Sequence, residues 1–174
     1  MKKIVMLLFV ALATIGCSKD DAAAGVTPGD TNTMKIFNKT TGTEIKDGDV
    51  VVFTSNASPN NKLAFYVKNT SASAMNVRSR LISVLNTDGT SMQYCFGQNC
   101  FYSVVEGSTY PTNNQEIVTV PANGIIGDTE AFKMENVATP TSGAVVDYVF
   151  EFYQHDAQMN ELGNKVRFTY RYQQ

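Results

Sequence analysis

The sequence predicts an all-β fold, an antiparallel sandwich of about eight to nine strands. Three observations carry that reading. From residue 34 onward apolar residues recur at every second position, the period of a strand with one buried face. Short clusters of Gly, Asn, Asp, Ser and Pro ("KDGD", "NASPNN", "NTSAS", "NTDGT", "PANG", "TPTSG") separate the alternating runs. No stretch of that region repeats apolar residues at i, i+3, i+4 and i+7 through successive turns, the stripe that an amphipathic helix needs.

Taken in order, the candidate strands are "MKIFN" (34–38), "DVVVFTS" (49–55), "KLAFYVKN" (62–69), "NVRSRLISVLN" (76–86), "SMQYC" (91–95), "QEIVTVP" (115–121), "TEAFKME" (129–135), "AVVDYVFEFYQ" (144–154) and "KVRFTYRYQ" (165–173). The last is the clearest. Val166, Phe168, Tyr170 and Tyr172 share one face, and Lys165, Arg167, Thr169 and Arg171 share the other, set toward water. The segment before it aligns Val146, Tyr148, Phe150 and Phe152 in the same way, and "DAQMNELGN" between the two reads as a hairpin loop turning at Gly163-Asn164.

The first residues carry a different message. "MKKIVMLLFVALATIGCSKDD" has a positive start at Lys2 and Lys3, an apolar run from Ile4 to Ala13, and small residues leading to Gly16 and Cys17. That run is too short to span a bilayer and is followed at once by polar residues, so it reads as an export signal. The stretch "TIGC" resembles the lipobox at which bacterial lipoproteins are cleaved before a cysteine that becomes diacylated. Thr14 departs from the Leu, Val or Ile usual at its position. The opening resembles that of lipoproteins of the Bacteroidota, and the following "SKDD" resembles the tag that routes them to the outer face of the outer membrane. The resemblance implies a signal peptide at 1–16, an acylated (palmitate-bearing) Cys17, and an outer-membrane protein facing the extracellular side. Residues 17–33 hold small residues, Pro, Gly and Asp with a lone Val, which reads as a flexible tether. A β-sandwich domain is expected over 34–174.

Export sets the reading of the remaining cysteines, Cys95 and Cys100, in "QYCFGQNCFYS". An oxidising compartment makes a disulfide their default state. A closed zinc site needs about four ligands, whereas the chain adds only His155 to these two, and CxxxxC is not the CxxC of redox centres. Gly97 inside the loop suits a sharp turn. Tyr94, Phe96, Phe101 and Tyr102 crowd around the pair. They read either as a contact surface or as strand residues facing the core.

The segments "LAFYVKNTS", "CFGQNC", "VTVPANG", "EAFKME" and "NKVRFTY" together resemble the immunoglobulin- or fibronectin-like domains of secreted and lipid-anchored Bacteroidota proteins. That resemblance implies a fold and a location, and no catalytic residues.

Chemistry is sparse. The chain has one His and no Trp, and its net charge of −2 and pI near 5.4 leave no basic footprint for nucleic acid. His155 in "YQHDA" has an adjacent Asp on the opposite strand face and no GxSxG nucleophile, so no triad is expected. "DGD" (47–49) and "NTDGT" read as turns, not calcium loops. No cofactor and no metal are expected. The function expected is a non-enzymatic, lipid-anchored binding, scaffolding or accessory module for a protein or glycan partner. The rival is a structural subunit of an outer-membrane complex or fimbria-like assembly, joined through the C-terminal strand by strand addition.

Overall fold

The computed structural model describes residues 32–55, 57–127, 130–138 and 143–173. The export signal, Cys17 and residues 18–31 of the expected tether lie outside the described residues. The tether's expected last residues join the domain instead: Asn32 Nδ2 donates to the Lys165 carbonyl at 2.6 Å, and the Thr33 amide donates to Asn164 Oδ1 at 2.9 Å.

Thirteen strands make up the described chain: β1 (Met34–Asn38), β2 (Glu44–Ile45), β3 (Val50–Phe53), β4 (Lys62–Asn69), β5 (Met75–Leu85), β6 (Met92–Phe96), β7 (Asn99–Phe101), β8 (Thr109–Tyr110), β9 (Val118–Val120), β10 (Ile125–Ile126), β11 (Lys133–Asn136), β12 (Val145–His155) and β13 (Glu161–Gln173). One sheet runs β2-β1-β4-β11-β6-β7, with β10 also on β4; the other runs β3-β13-β12-β5-β8, with β9 also on β5. The expected all-β sandwich is therefore present. Its strand count is higher because β2, β7, β8 and β10 span only two or three residues, too few for a period to register. Its pairing is mixed: β3 lies parallel to β13, with Val50 opposite Thr169 and Phe53 opposite Tyr172. Most of the chain separates these two strands, so no hairpin dictates their direction.

Alternation places the core where it was expected. Leu63, Phe65 and Val67 of β4 are fully buried, as are Tyr148, Phe150 and Phe152 of β12 and Tyr170 and Tyr172 of β13. Rings interlock across the two sheets. Phe152 meets Phe65 and Phe96 edge-on at 5.4 and 5.5 Å and stacks on Phe168 at 5.7 Å. Edge-to-face pairs put positive ring edges against negative ring faces, adding roughly 0.5–1.5 kcal/mol each beyond area burial. Gly89 carries a tight crossing at φ +87°: its carbonyl accepts the amides of both Met92 and Val104, and a Cβ there would lie 1.9 Å from the Val104 oxygen.

Two sequence expectations need correction. The β12–β13 turn falls at residues 156–160, not at Gly163-Asn164, which lie within β13. The reason is Asp156, whose Oδ1 accepts the amides of Gln158 at 2.9 Å and Asn160 at 2.8 Å, while Met159 takes φ 67°. An Asx turn built by one carboxylate outweighs the Gly-Asn signal. The face of β13 expected in water is also more structured. Glu151 of β12 sits opposite Arg80 on β5 and Arg167 on β13. Arg80 Nε donates to Glu151 Oε1 at 2.9 Å and Arg167 Nη2 to Oε2 at 2.6 Å, while Arg171 grips Asp147 with two bonds of 2.7 Å. The arginine stems cover Glu151 and Asp147, so β12 is buried on both faces.

The C-terminal strand is interior to its sheet, held by β12 on one side and β3 on the other. Residues 169–172 have a partner strand on each side and so have no free edge to offer another chain.

Candidate binding cleft

Cys95 and Cys100 form a disulfide with Cα atoms 4.0 Å apart. They sit opposite one another on β6 and β7, and the two-residue turn Gly97-Gln98 closes the hairpin with Gly97 at φ +78°. The turn is pinned by Glu116, which accepts the Gln98 amide at 3.2 Å and the Asn99 side-chain amide. A clasp around about six residues contributes roughly 2 kcal/mol by restricting the unfolded chain. The double substitution Cys95→Ser with Cys100→Ser is therefore expected to lower unfolding free energy by about that amount in urea titrations, and dithiothreitol is expected to act on the wild type alone.

Of the two readings left open around the clasp, facing the core holds for three of the four residues. Tyr94 and Phe96 are fully buried. Burial pushes the Tyr94 hydroxyl well above its usual range, while its bond to Ser79 Oγ at 2.5 Å opposes the shift. Phe101 packs against the core and meets Tyr110 at 4.9 Å. Tyr102 alone of the four stands out, at 76% exposed. Sequence alternation left both readings open because Tyr94 and Phe96 share one strand face, and only sheet stacking decides which face is inward.

The remaining titratable candidates are engaged structurally. His155 is buried, with Nδ1 on the Asp156 carbonyl at 2.8 Å, while the Asp156 carboxylate builds its own turn. In "DGD", Asp47 Oδ1 accepts the Arg167 amide at 2.8 Å and Asp49 Oδ2 accepts the Lys46 amide at 2.7 Å. Asp88 in "NTDGT" takes the Thr90 amide and hydroxyl at 3.0 and 2.6 Å. Among the described residues no three His, Cys, Asp or Glu side chains are grouped to hold a metal ion.

Among the described residues, β3 is an edge strand with an exposed apolar face. Val51 and Phe53 face inward, Phe53 stacking on Tyr170 at 4.6 Å, whereas Val50 and Val52 face outward at 45% and 47% exposed. The Tyr170 hydroxyl donates to the Asn61 carbonyl, which ties this wall to the loop before β4; burial raises the hydroxyl's pKa far above its ordinary value. The Asp49 carbonyl accepts the Thr169 amide at 2.8 Å. In a parallel ladder that phase turns the main chain of residues 49, 51 and 53 toward β13 and that of Val50 and Val52 away from it. Two other margins end in proline: Pro111 and Pro121 follow β8 and β9 at once.

A cleft of about 620 Å³ opens beside β3 and the start of β4. Its walls include Val51, Val52 and Phe53, Ala64 of β4, and the Thr40–Thr41 turn. Lys39, Lys62 and Glu130 also line it, with Lys62 Nζ bonded to Glu130 at 3.0 Å, a bond that holds the Glu130 carboxyl below its ordinary range. The run "VVVF" carried a signal for this edge. Apolar residues in both phases of a strand ordinarily mean burial on two faces, and here one face is left uncovered.

Fold and cleft together define a class: a disulfide-clasped β-sandwich domain with an open apolar edge. No family model matches the chain, and no curated protein matches it. Among solved structures it is similar to the N-terminal domain of PorA, at 19% identity and a TM-score of 0.49 over 80% of this chain and 96% of that one. It is similar to the YadV chaperone at 11% identity and a TM-score of 0.39, over 81% of this chain and 51% of the chaperone, about half its length. A third is the ASH/PapD-like domain 7 of human CEP192, at 12% identity and a TM-score of 0.42 over 91% and 96% of the two chains.

Proposed function

We propose that this protein is a non-enzymatic module of the cell envelope, anchored to the outer membrane through lipid on Cys17, that binds a protein partner. The observation that carries the binding reading is the β3 margin: an uncovered apolar edge beside a cleft, in a domain whose buried Asp147 and Glu151 carboxylates are engaged in structural bonds. Acyl chains contribute about 0.8 kcal/mol per buried methylene, so a diacylated Cys17 holds the domain at the bilayer without a spanning segment. Anchoring confines protein and partner to one surface, so a modest intrinsic affinity suffices there.

Metabolic labelling with radioactive palmitate tests the anchor. Label is expected in the wild type and absent from Cys17→Ser, with the wild type in the membrane fraction. A photo-crosslinking amino acid at Thr41, on the cleft rim, tests the partner in intact cells: one discrete protein adduct is expected. Unlabelled wild type in the cytosolic fraction, with Cys95 and Cys100 alkylated without reductant, overturns the anchored reading; no adduct removes the partner.

A further inference from the structure

We propose that Met159 is an oxidation site: a peroxide converts its thioether to the sulfoxide, and the buried Arg78 guanidinium holds the new oxygen. The reaction stands apart from partner binding at β3. Hydrogen peroxide passes one oxygen to the sulfur. The S–O bond forms as the O–O bond breaks, the proton of the transferred oxygen goes to the departing one, and water leaves. Sulfur is oxidised and the peroxide reduced.

Exposure supplies the first argument. Of the methionines among the described residues, Met34, Met75, Met92 and Met134 are at most 2% exposed, whereas Met159 is half-buried in the β12–β13 turn. The turn holds it there. The Met159 amide donates to the Asp156 carbonyl at 3.1 Å, and the Asp156 carboxylate takes the amides on either side, from Gln158 and Asn160. Oxidant reaches an exposed thioether first.

Arg78 supplies the second. Its guanidinium donates through Nη1 to Asn114 Oδ1 at 2.7 Å and to Met159 Sδ at 3.9 Å, and through Nη2 to the Pro111 carbonyl. These acceptors are neutral, whereas Arg80, Arg167 and Arg171 each meet a carboxylate. Arg78 is 5% exposed, so its charge is buried without an opposite charge on those bonds. A thioether sulfur is a weak acceptor. A sulfoxide oxygen is a strong one, and a cationic donor beside it makes a charge-assisted bond. The same oxygen on a core methionine lies among rings and aliphatic chains with no donor provided, which costs stability.

The consequence follows from what Arg78 joins. Its bonds tie β5 to the segment at Pro111 and Asn114, and Met159 brings the β12–β13 turn onto the same guanidinium. Oxidation therefore tightens that junction. Reductases return methionine sulfoxide to the thioether, which makes the tightening a reversible response to oxidant.

The test treats the full-length protein in detergent with hydrogen peroxide and maps added oxygen by peptide mass spectrometry. Met159 is expected to react at least about tenfold faster than the four buried methionines, which wait on opening of the core. The singly oxidised protein is expected to keep the urea midpoint of the unmodified one. Its Gln158, Met159 and Asn160 amides are expected to exchange hydrogen more slowly, and the Arg78 side-chain N–H signals to shift in nuclear magnetic resonance spectra. Arg78→Gln is expected to leave Met159 reactive and to abolish the slowed exchange. Should that variant fail to fold, the Arg78 signals of the wild type carry the test. Met159→Leu is expected to show neither response to peroxide. Equal reaction of the buried methionines, a lowered midpoint on single oxidation, unchanged Arg78 signals, or slowed exchange that persists in folded Arg78→Gln would each overturn the inference.

Discussion

Replacing Phe152 by alanine is expected to cost the domain about 3–5 kcal/mol, a large share of the roughly 5–15 kcal/mol by which a domain stays folded. Phe152 is fully buried and touches both layers, reaching Phe65 on β4 and Phe96 on β6 while stacking on Phe168. Truncation removes the apolar surface and leaves a void that the stacked sheets cannot close, because the neighbouring rings hold the two layers apart. Phe152→Leu keeps most of the volume and is expected to cost less. Urea titration followed by tyrosine fluorescence reads both variants. A loss below about 1 kcal/mol for the alanine variant is incompatible with the interlocked core.

Glu151→Gln is the second large effect, and it depends on pH. Burial raises the Glu151 pKa, but hydrogen bonds from Arg167 and Arg80 overcome that, leaving the carboxyl below its reference value of 4.5. The folded state therefore favours the ionised form. Its contribution is fully present above the unfolded value and disappears as pH falls through the lower, folded one. At neutral pH the substitution is expected to cost about 1.5–3 kcal/mol, the range for hydrogen bonds to a charged group. Arg80 retains Glu161, at 2.5 Å, as a partial replacement. In acid, below the folded carboxyl's pKa, wild type and variant are expected to converge. Stability measured from neutral to acid pH tests this; a difference that persists unchanged into acid contradicts the ladder.

The limits of legibility follow from these same residues. The alternation of Val166, Phe168, Tyr170 and Tyr172 fixed their shared face in advance, because strand side chains alternate strictly, and all four are buried. The cysteine pair was legible from compartment and spacing, and the hairpin joins it. The Gly163-Asn164 turn was misplaced because Asp156 acts through a side chain whose reach depends on conformation. Tyr94 and Phe96 were ambiguous because one face of a strand looks like the other until a second sheet covers it. The cleft was illegible altogether: its walls come from β3, the Thr40–Thr41 turn, β4 and Glu130, segments far apart along the chain.

From residue order alone came the strand period, the layered all-β class, the expected export and acylation signal, and the clasp at Cys95 and Cys100. Each rests on interactions among near neighbours or on compartment chemistry, which a local pattern records. The parallel seating of β3 on β13, the Glu151 ladder and the open edge were settled only by the packed domain. Which backbone groups go unpaired and which valines stay wet depends on strands distant in sequence, and no local pattern carries that information.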